Sequence, residues 1–314
     1  MMDSGSCFTD EQLRCLMFQF FRSLRHVHRS GFIHRDIKPA NLLIDNLWHL
    51  KLCDFGIARS TESALDPSAK DPKDSEFTDY VVTRPYRCPE LLMGSKSYST
   101  SVDMWSAGCI LAEMIASQVP VGPLTRNASG QMLRLPLFPG FDHKDMVQRI
   151  VQVLGHPTPE VLEALSMWEP KAKNFVDRQP YMACDIYTHK ELTVTGIENS
   201  PNYCTISSEP PPTEEQKIYW KTIFPWASDS LLDLLDRLLK WDPEERISSD
   251  EALRHPYFVD GLPKHLQKGP ITEQELDYEL RKEAVRSGIL GDKTNHAQWE
   301  RFWTKCEIRC WRKS

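Results

Sequence analysis

Apolar side chains recur at three- and four-residue steps in several stretches of the chain, and this spacing predicts amphipathic helices. One stretch, apolar on most of its sides, predicts a buried helix instead. Gly31 follows the first stretch where a left-handed helix end is expected, and Ser228 or Asp229 is a candidate cap for the last one. The predicted helices cover residues 11–30, 101–117 (the buried one), 143–154, 159–168 and 229–240.

Strand-like segments are few and short. Leu42–Ile44 and His49–Leu52 are separated by Asp45 and Asn46, a pair typical of turns, so the sequence predicts a small hairpin. Three polar or proline-containing stretches are predicted to be loops or irregular structure. These stretches are residues 57–80, 120–130 and 169–222. The pattern as a whole predicts a mainly α fold with a few short β-strands.

Composition excludes several classes of protein. The 314 residues are 40% hydrophobic and 26% charged, which is ordinary for one large globular domain or two smaller ones. A net charge of −6 argues against nucleic acid as a partner, and no apolar run reaches the ~20 residues that span a membrane. The nine cysteines are scattered and odd in number, which predicts thiols in a reducing compartment, the cytoplasm, the nucleus or both. Cys306 and Cys310 lack the further ligands of a zinc site.

The candidate chemistry lies early in the chain. Residues 34–41 read His-Arg-Asp-Ile-Lys-Pro-Ala-Asn, and Asp54-Phe55-Gly56 follows, with its acid 13 positions after the amide (54 − 41). Phosphoryl transfer requires such a set: a carboxylate that orients the attacking hydroxyl, a lysine for the moving phosphate, and an amide and an acid for magnesium. Each residue alone is more often a solvated surface charge; the order and spacing favour a site.

These two segments resemble the catalytic loop and the magnesium loop of the eukaryotic protein kinases. The resemblance implies that ATP and Mg²⁺ are the cofactors and that Asp36 is the catalytic base. It implies that Lys38 reaches the γ-phosphate, as in kinases that act on serine and threonine, and that Asn41 and Asp54 hold the metal. His34 is expected to be a packed scaffold residue without a role in proton transfer.

A second resemblance is to the activation lip of the mitogen-activated protein kinases. It is carried by Thr78-Asp79-Tyr80 and by residues 83–90, Thr-Arg-Pro-Tyr-Arg-Cys-Pro-Glu. It implies protein substrates and regulation by phosphorylation of Thr78 and Tyr80, through an upstream dual-specificity kinase and phosphatases. Arg35 and Arg59 are the expected partners of the added phosphates. Thr83 and Arg84 are expected to contact the substrate and to favour proline after the target residue.

Further marks of the same family have a structural role. The resemblance implies that Glu90 pairs with Arg246 in the interior and that Asp103 braces the backbone of the catalytic loop. Two positions depart from the family pattern: Pro85 replaces a tryptophan and Cys88 replaces an alanine. Pro85 removes a backbone donor and a large ring beside the expected substrate groove.

The sequence lacks a recognisable glycine-rich loop, strand lysine and helix glutamate, which a kinase carries in a small sheet-rich lobe. We therefore expect residues 1–260 to form only the C-terminal lobe of a kinase-like domain, with the N-terminal β-lobe missing. We expect residues 261–314 to be a charged extension with a helix near Glu273–Val285. Two explanations of the missing lobe stay open: a truncated gene model and a natural short product of the gene. The alternative function is a non-catalytic lobe that acts as a binding or competitor module.

Overall fold

The computed structural model describes residues 9–45, 48–65, 84–95, 98–118, 124–126, 132–134, 136–140, 142–166, 176, 216–260 and 272–284. Helices dominate this part of the chain. They are α1 (Asp10–Arg29), α2 (Thr61–Leu65), α3 (Pro89–Leu92), α4 (Ser101–Ala116), α5 (His143–Leu154), α6 (Pro159–Ser166), α7 (Gln216–Ile223), α8 (Asp229–Leu238), α9 (Ser249–Ala252), α10 (Pro256–Asp260) and α11 (Glu273–Ala284).

The strands form three antiparallel pairs. The strands are β1 (Phe32–Ile33), β2 (Leu42–Ile44), β3 (Leu50–Leu52), β4 (Arg59–Ser60), β5 (Leu124–Arg126) and β6 (Met132–Arg134). β1 pairs with β4, β2 with β3 and β5 with β6. The β2–β3 hairpin is in register from Leu42 opposite Leu52 to Ile44 opposite Leu50. The mainly α prediction with few strands holds for the described residues.

Helix α1 begins and ends where its sequence favours it. The Thr9 hydroxyl accepts the backbone N–H of Gln12, whose side chain accepts the N–H of Thr9, which completes a capping box. Gly31 follows the helix with φ of +78°, a left-handed conformation that glycine adopts without a steric penalty. The apolar stripe of α1 is buried in the central core.

Helix α4 is buried along almost its whole length, as its apolar character predicts. A methyl group on Gly108 would lie 2.8 Å from Leu239 and 2.9 Å from Leu238, at the end of α8. The glycine therefore permits the closest approach of the two helices. Within the described residues, none of the helices is both long and apolar enough to cross a membrane.

Helix α11, predicted near Glu273–Val285, packs against α1. Leu276 and Leu280 bury their side chains in the core. On the rim of this contact Arg25 pairs with Glu273, and Arg22 lies 3.1 Å from Asp277. An isolated helix of this length is marginal in water, so α11 depends on its contact with α1.

Replacing Leu280 with alanine is expected to lower the free energy of unfolding by about 2–4 kcal/mol, because it removes buried methyl groups between α11 and α1. The measurement is urea unfolding. Tyr278 on the same helix is 60% exposed, so Tyr278→Ala is the matched control, with an expected change below about 0.5 kcal/mol. Equal effects of the two substitutions would contradict the packing of α11 on α1.

Three stretches predicted as loops contain regular structure. β4 and α2 lie within 57–80, β5 lies within 120–130, and most of α7 lies within 169–222. β4 is two residues long and exists because β1 supplies its hydrogen-bonding partner, which local composition cannot reveal. The division at residue 260 and the missing β-lobe stay predictions.

Candidate active site

The backbone at the start of the loop 34–41 donates two hydrogen bonds to one carboxylate. Asp103 on α4 accepts the backbone N–H of His34 through Oδ2 and that of Arg35 through Oδ1, both at 2.9 Å. Arg35 has φ of +72°, a conformation that costs a non-glycine residue free energy. The two hydrogen bonds stabilise this turn of the chain, immediately before Asp36.

Asp103 also accepts a hydrogen bond from the Nε2 of His28, at 2.9 Å. Burial by itself would raise the pKa of the Asp103 carboxyl group. The hydrogen bond and charge of His28 and the backbone N–H of His34 outweigh burial and lower that pKa. Asp103 therefore stays ionised beneath the loop, where an anion is the better acceptor.

Asp36, Lys38 and Asn41 form one cluster. The Lys38 ammonium lies 2.7 Å from Asp36 Oδ2, and Asn41 Nδ2 donates to the same oxygen at 3.1 Å and to the Asp36 carbonyl at 2.7 Å. The Asp36 side chain is only 12% exposed. The chain therefore presents a partly buried carboxylate that a cation and an amide hold in one orientation.

The hairpin brings Asp54 beside this cluster. The Cys53 N–H donates to the Asn41 carbonyl at 3.0 Å, which extends the β2–β3 ladder by one pair, and Asp54 is the next residue. Asp54 has φ of +64° and accepts the Gly56 N–H at 3.3 Å. The Nε2–H of His34 donates to the Cys53 carbonyl oxygen at 2.9 Å, which agrees with a scaffold role.

The donor set fits a magnesium ion. The Asn41 amide nitrogen is directed at Asp36, so its Oδ1 is left for a cation, and the Asp54 side chain is exposed at the adjacent position. One amide oxygen and one carboxylate are ligands that Mg²⁺ accepts, with waters and phosphate oxygens completing its shell.

Arg35 and Arg59 meet at one aromatic ring. Their guanidinium carbons lie 5.4 Å and 5.9 Å from the centre of the Tyr98 ring, and Arg59 donates to the Tyr98 hydroxyl at 3.2 Å. Because both arginines contact the same ring, their positive charges lie close together near the catalytic loop. Thr78, Tyr80 and Thr83 lie outside the described residues, and for Arg84 only the backbone is described, in the helical turn Arg84–Tyr86.

Glu90 and Arg246 form a buried bidentate pair, with N–O distances of 2.5 and 2.7 Å. The Arg246 side chain is fully buried and lies 5.0 Å from the Trp105 ring. Its remaining N–H groups donate to three backbone carbonyls, so every donor of the guanidinium group is used. These carbonyls belong to Lys240, Trp241 and Ser101.

Of the two departures from the family pattern, Cys88 is buried next to this pair. Burial, together with the charge of Glu90, raises the pKa of the Cys88 thiol well above its ordinary value. The thiol therefore stays protonated and acts as a small apolar side chain. Pro85 lies in the Arg84–Tyr86 turn, at the edge of the described residues.

Sequence analysis missed Glu113, the acid near the end of α4. Its Oε1 is buried and has no hydrogen-bond partner among the described residues. Burial raises the pKa of Glu113 to about 7, and a hydrogen bond from Tyr86 only partly offsets that rise. The signal in the sequence was a second carboxylate, after Asp103, in an otherwise mostly apolar helix.

Replacing Glu113 with glutamine is expected to raise stability at pH 8 and to change it little at pH 5. The pKa in the folded state, about 7, lies above the ordinary 4.5, so the folded chain keeps a proton that the unfolded chain has released. The stability that this group contributes is fully present below about pH 4.5 and is lost as the pH rises to about 7, an upper bound of ~3 kcal/mol. Urea unfolding at both pH values measures it.

The control for this titration is Glu163→Gln, the same substitution at an exposed position on α6. It is expected to follow the pH dependence of the unchanged chain. If Glu113→Gln also follows it, the carboxyl group of Glu113 does not titrate near neutrality in the folded protein.

The chain is similar in sequence to known proteins of one family. The model of the protein kinase domain family matches residues 1–258. The mitogen-activated protein kinase MPS1 of Pyricularia oryzae is 34% identical over 254 residues, which are 81% of this chain and 48% of MPS1. The mitogen-activated protein kinase mpkA of Aspergillus fumigatus is 33% identical over 254 residues, 81% of this chain and 46% of mpkA. A mitogen-activated protein kinase of Fusarium vanettenii is 32% identical over 280 residues, 88% of this chain and 62% of that protein. The chain thus spans about half the length of the first two relatives.

Proposed function

The chain belongs to the protein kinase domain family, and from that premise we propose that it transfers the γ-phosphate of ATP to serine or threonine residues of proteins. The observation that carries the proposal is the cluster of Asp36, Lys38 and Asn41. Asp54 lies beside this cluster because it follows Cys53, whose backbone N–H donates to the Asn41 carbonyl. The identity to mitogen-activated protein kinases supports that branch of the family.

Asp36 orients the attacking hydroxyl group and accepts its proton. Its carboxylate keeps one hydrogen-bonded position because Lys38 and Asn41 both donate to Oδ2, which leaves Oδ1 for the substrate. A base that is held in place contributes more than a mobile one, because no reorganisation is needed at the moment of transfer. Lys38, beside it, supplies positive charge for the phosphate that moves.

Asn41 and Asp54 hold Mg²⁺ together with ATP. The metal, when bound, neutralises charge on the phosphate oxygens. The chain's own contribution is to fix the two ligands at the open end of one hairpin, so that their spacing does not depend on a mobile loop. Asp103 contributes by fixing the backbone from which Asp36 extends.

Regulation is proposed to act through Arg35 and Arg59. Phosphates on Thr78 and Tyr80, added by an upstream dual-specificity kinase and removed by phosphatases, would pair with the two guanidinium groups that share Tyr98. Thr83 and Arg84 are proposed to line the position after the target residue and to favour proline there. The proposed location is the cytoplasm, the nucleus or both.

The test is transfer of labelled γ-phosphate from Mg²⁺–ATP to a protein acceptor by the purified chain, with nucleotide binding measured in parallel. Transfer to a Ser-Pro peptide that exceeds transfer to the matching Ser-Ala peptide is expected. Equal transfer to both peptides would overturn the proline preference alone. A chain that binds no nucleotide and transfers no phosphate would overturn the catalytic proposal.

One observation favours the alternative of a binding or competitor module. Phe32, Leu43 and Phe55 expose about half of their surface on the segments that carry the candidate site. Exposed apolar side chains in one region are typical of a surface that another polypeptide covers. Binding to an intact kinase or its substrate, without nucleotide binding, would select this alternative.

A further inference from the structure

We propose that Gln19 is a positioning residue that fixes the β2–β3 hairpin, and with it Asn41 and Asp54, relative to the catalytic loop. The inference rests on the proposed function only in naming these two residues as metal ligands. Gln19 lies on α1, on the core side, and touches none of the reacting groups. Its role is therefore exerted through the hairpin.

The side-chain amide of Gln19 makes two hydrogen bonds to the backbone at the closed end of the hairpin. Its Nε2 donates to the Trp48 carbonyl at 2.7 Å, and its Oε1 accepts the Leu50 N–H at 3.1 Å. Gln19 is only 8% exposed, so neither bond competes freely with water. The two partners fix the orientation of the amide group, because a carbonyl only accepts and an N–H only donates.

The segment that Gln19 holds is not an ordinary tight turn. Trp48 has φ of +62° and is 2% exposed, so a large side chain is buried from a left-handed backbone position. The carbonyl of Trp48 and the N–H of Leu50 flank His49, where the chain enters β3. Gln19 thus satisfies two backbone groups at the point where backbone strain would otherwise loosen the hairpin.

The opposite end of the hairpin carries the candidate metal ligands. Three residue pairs separate the ends, a span of ~10 Å. A two-stranded hairpin of this length is marginal by itself, so its direction is set by its anchors. At the open end the polar anchor is the contact of Asn41 with Asp36, and at the closed end it is Gln19; burial of Leu42 and Trp48 adds apolar packing at the two ends.

Helix α1 connects the two anchors through the chain. It carries Gln19 in its middle, and its C-terminal end continues through Gly31 and β1 into the loop with Asp36. Without Gln19 the hairpin keeps the Asn41 contact and the buried side chains of Leu42 and Trp48, but its closed end loses the two hydrogen bonds that fix its backbone to α1. A shift of this closed end on α1 displaces Asp54 while the Asn41 contact holds Asn41 beside Asp36, which weakens metal binding more than it weakens the base.

The test compares Gln19→Met with Gln152→Met. Methionine has a similar length to glutamine and makes neither hydrogen bond, and Gln152 is a buried glutamine on α5. The probe is Mn²⁺ in the presence of ADP, followed by electron paramagnetic resonance. Gln19→Met is expected to weaken Mn²⁺ binding up to about tenfold, the lower limit for groups that bond the ligands directly, because Gln19 acts at the far end of the hairpin. Gln152→Met is expected to leave Mn²⁺ binding unchanged, because Gln152 lies on α5, outside the hairpin and the catalytic loop.

Hydrogen exchange provides a second readout, which needs no metal. The Leu50 and Cys53 amides are expected to exchange faster in Gln19→Met, and the amides of α4 are expected to keep the rates of the unchanged chain. Unaltered Mn²⁺ binding in Gln19→Met, or a loss of the same size in Gln152→Met, would overturn the positioning role. Mn²⁺ binding by the unchanged chain without any phosphate transfer would instead overturn the proposed function alone. No Mn²⁺ binding by the unchanged chain would overturn both.

Discussion

Replacing Asp36 with asparagine is expected to lower phosphate transfer by about a hundredfold to ten-thousandfold, the range that a positioned general base supplies. The asparagine oxygen can still accept from Lys38 and Asn41, so the surrounding contacts survive. What is lost is the negative charge and the ability to take up a proton. The measurement is the initial rate of transfer at saturating Mg²⁺–ATP.

The control for Asp36→Asn is Asp229→Asn, the same change at a 92% exposed side chain on α8. It is expected to leave the rate unchanged. Nucleotide binding and the melting temperature of Asp36→Asn should stay close to those of the unchanged chain, which separates a chemical defect from misfolding. A transfer rate that survives Asp36→Asn would remove Asp36 from the mechanism and leave its carboxylate a structural role.

Glu90→Ala is expected to lower the free energy of unfolding by about 3–5 kcal/mol. The substitution leaves the Arg246 guanidinium buried without its counter-ion, and a buried charge that loses its partner is far costlier than a broken surface pair. The pair also joins segments 156 residues apart, so its loss affects α3 and the loop after α8 together. Urea unfolding at pH 7 is the measurement.

Glu279→Ala is the matched control. Glu279 pairs with Lys282 three residues later on the more exposed α11, where such a pair is worth about 0.2–0.5 kcal/mol. If Glu90→Ala costs no more than Glu279→Ala, the buried pair makes no special contribution. In that case the Arg246 side chain finds its compensation in the three backbone carbonyls alone.

Elements that depend on local sequence were predicted well. Five helices begin and end within two residues of the stretches that apolar spacing indicated: α1, α4, α5, α6 and α8. The reason is that the apolar residues that a helix buries recur in each successive turn of its own sequence. The hairpin was predicted from two short apolar segments around a turn. Asp36, Lys38 and Asn41 lie within six positions, so the structure had little freedom to separate them.

Features that depend on distant partners were not predicted from the residues themselves. Gln19 looks like one more polar residue on a helix until the hairpin 31 positions later supplies its partners. Glu113 is one more acid in the sequence until the fold encloses its Oε1 and raises the pKa of its carboxyl group. The contact of Glu90 with Arg246 was expected only through the family resemblance, since no local pattern relates positions 156 apart.

The contact between α1 and α11 can form only late in the synthesis of the chain. During synthesis the last residue of α1 precedes the first residue of α11 by 244 positions (273 − 29). At ~5–20 residues per second, α1 therefore waits roughly 10–50 s for the helix that covers it. Throughout that interval the surface that will receive Leu276 and Leu280 faces water, which makes the nascent chain a natural client for chaperones until α11 has been made.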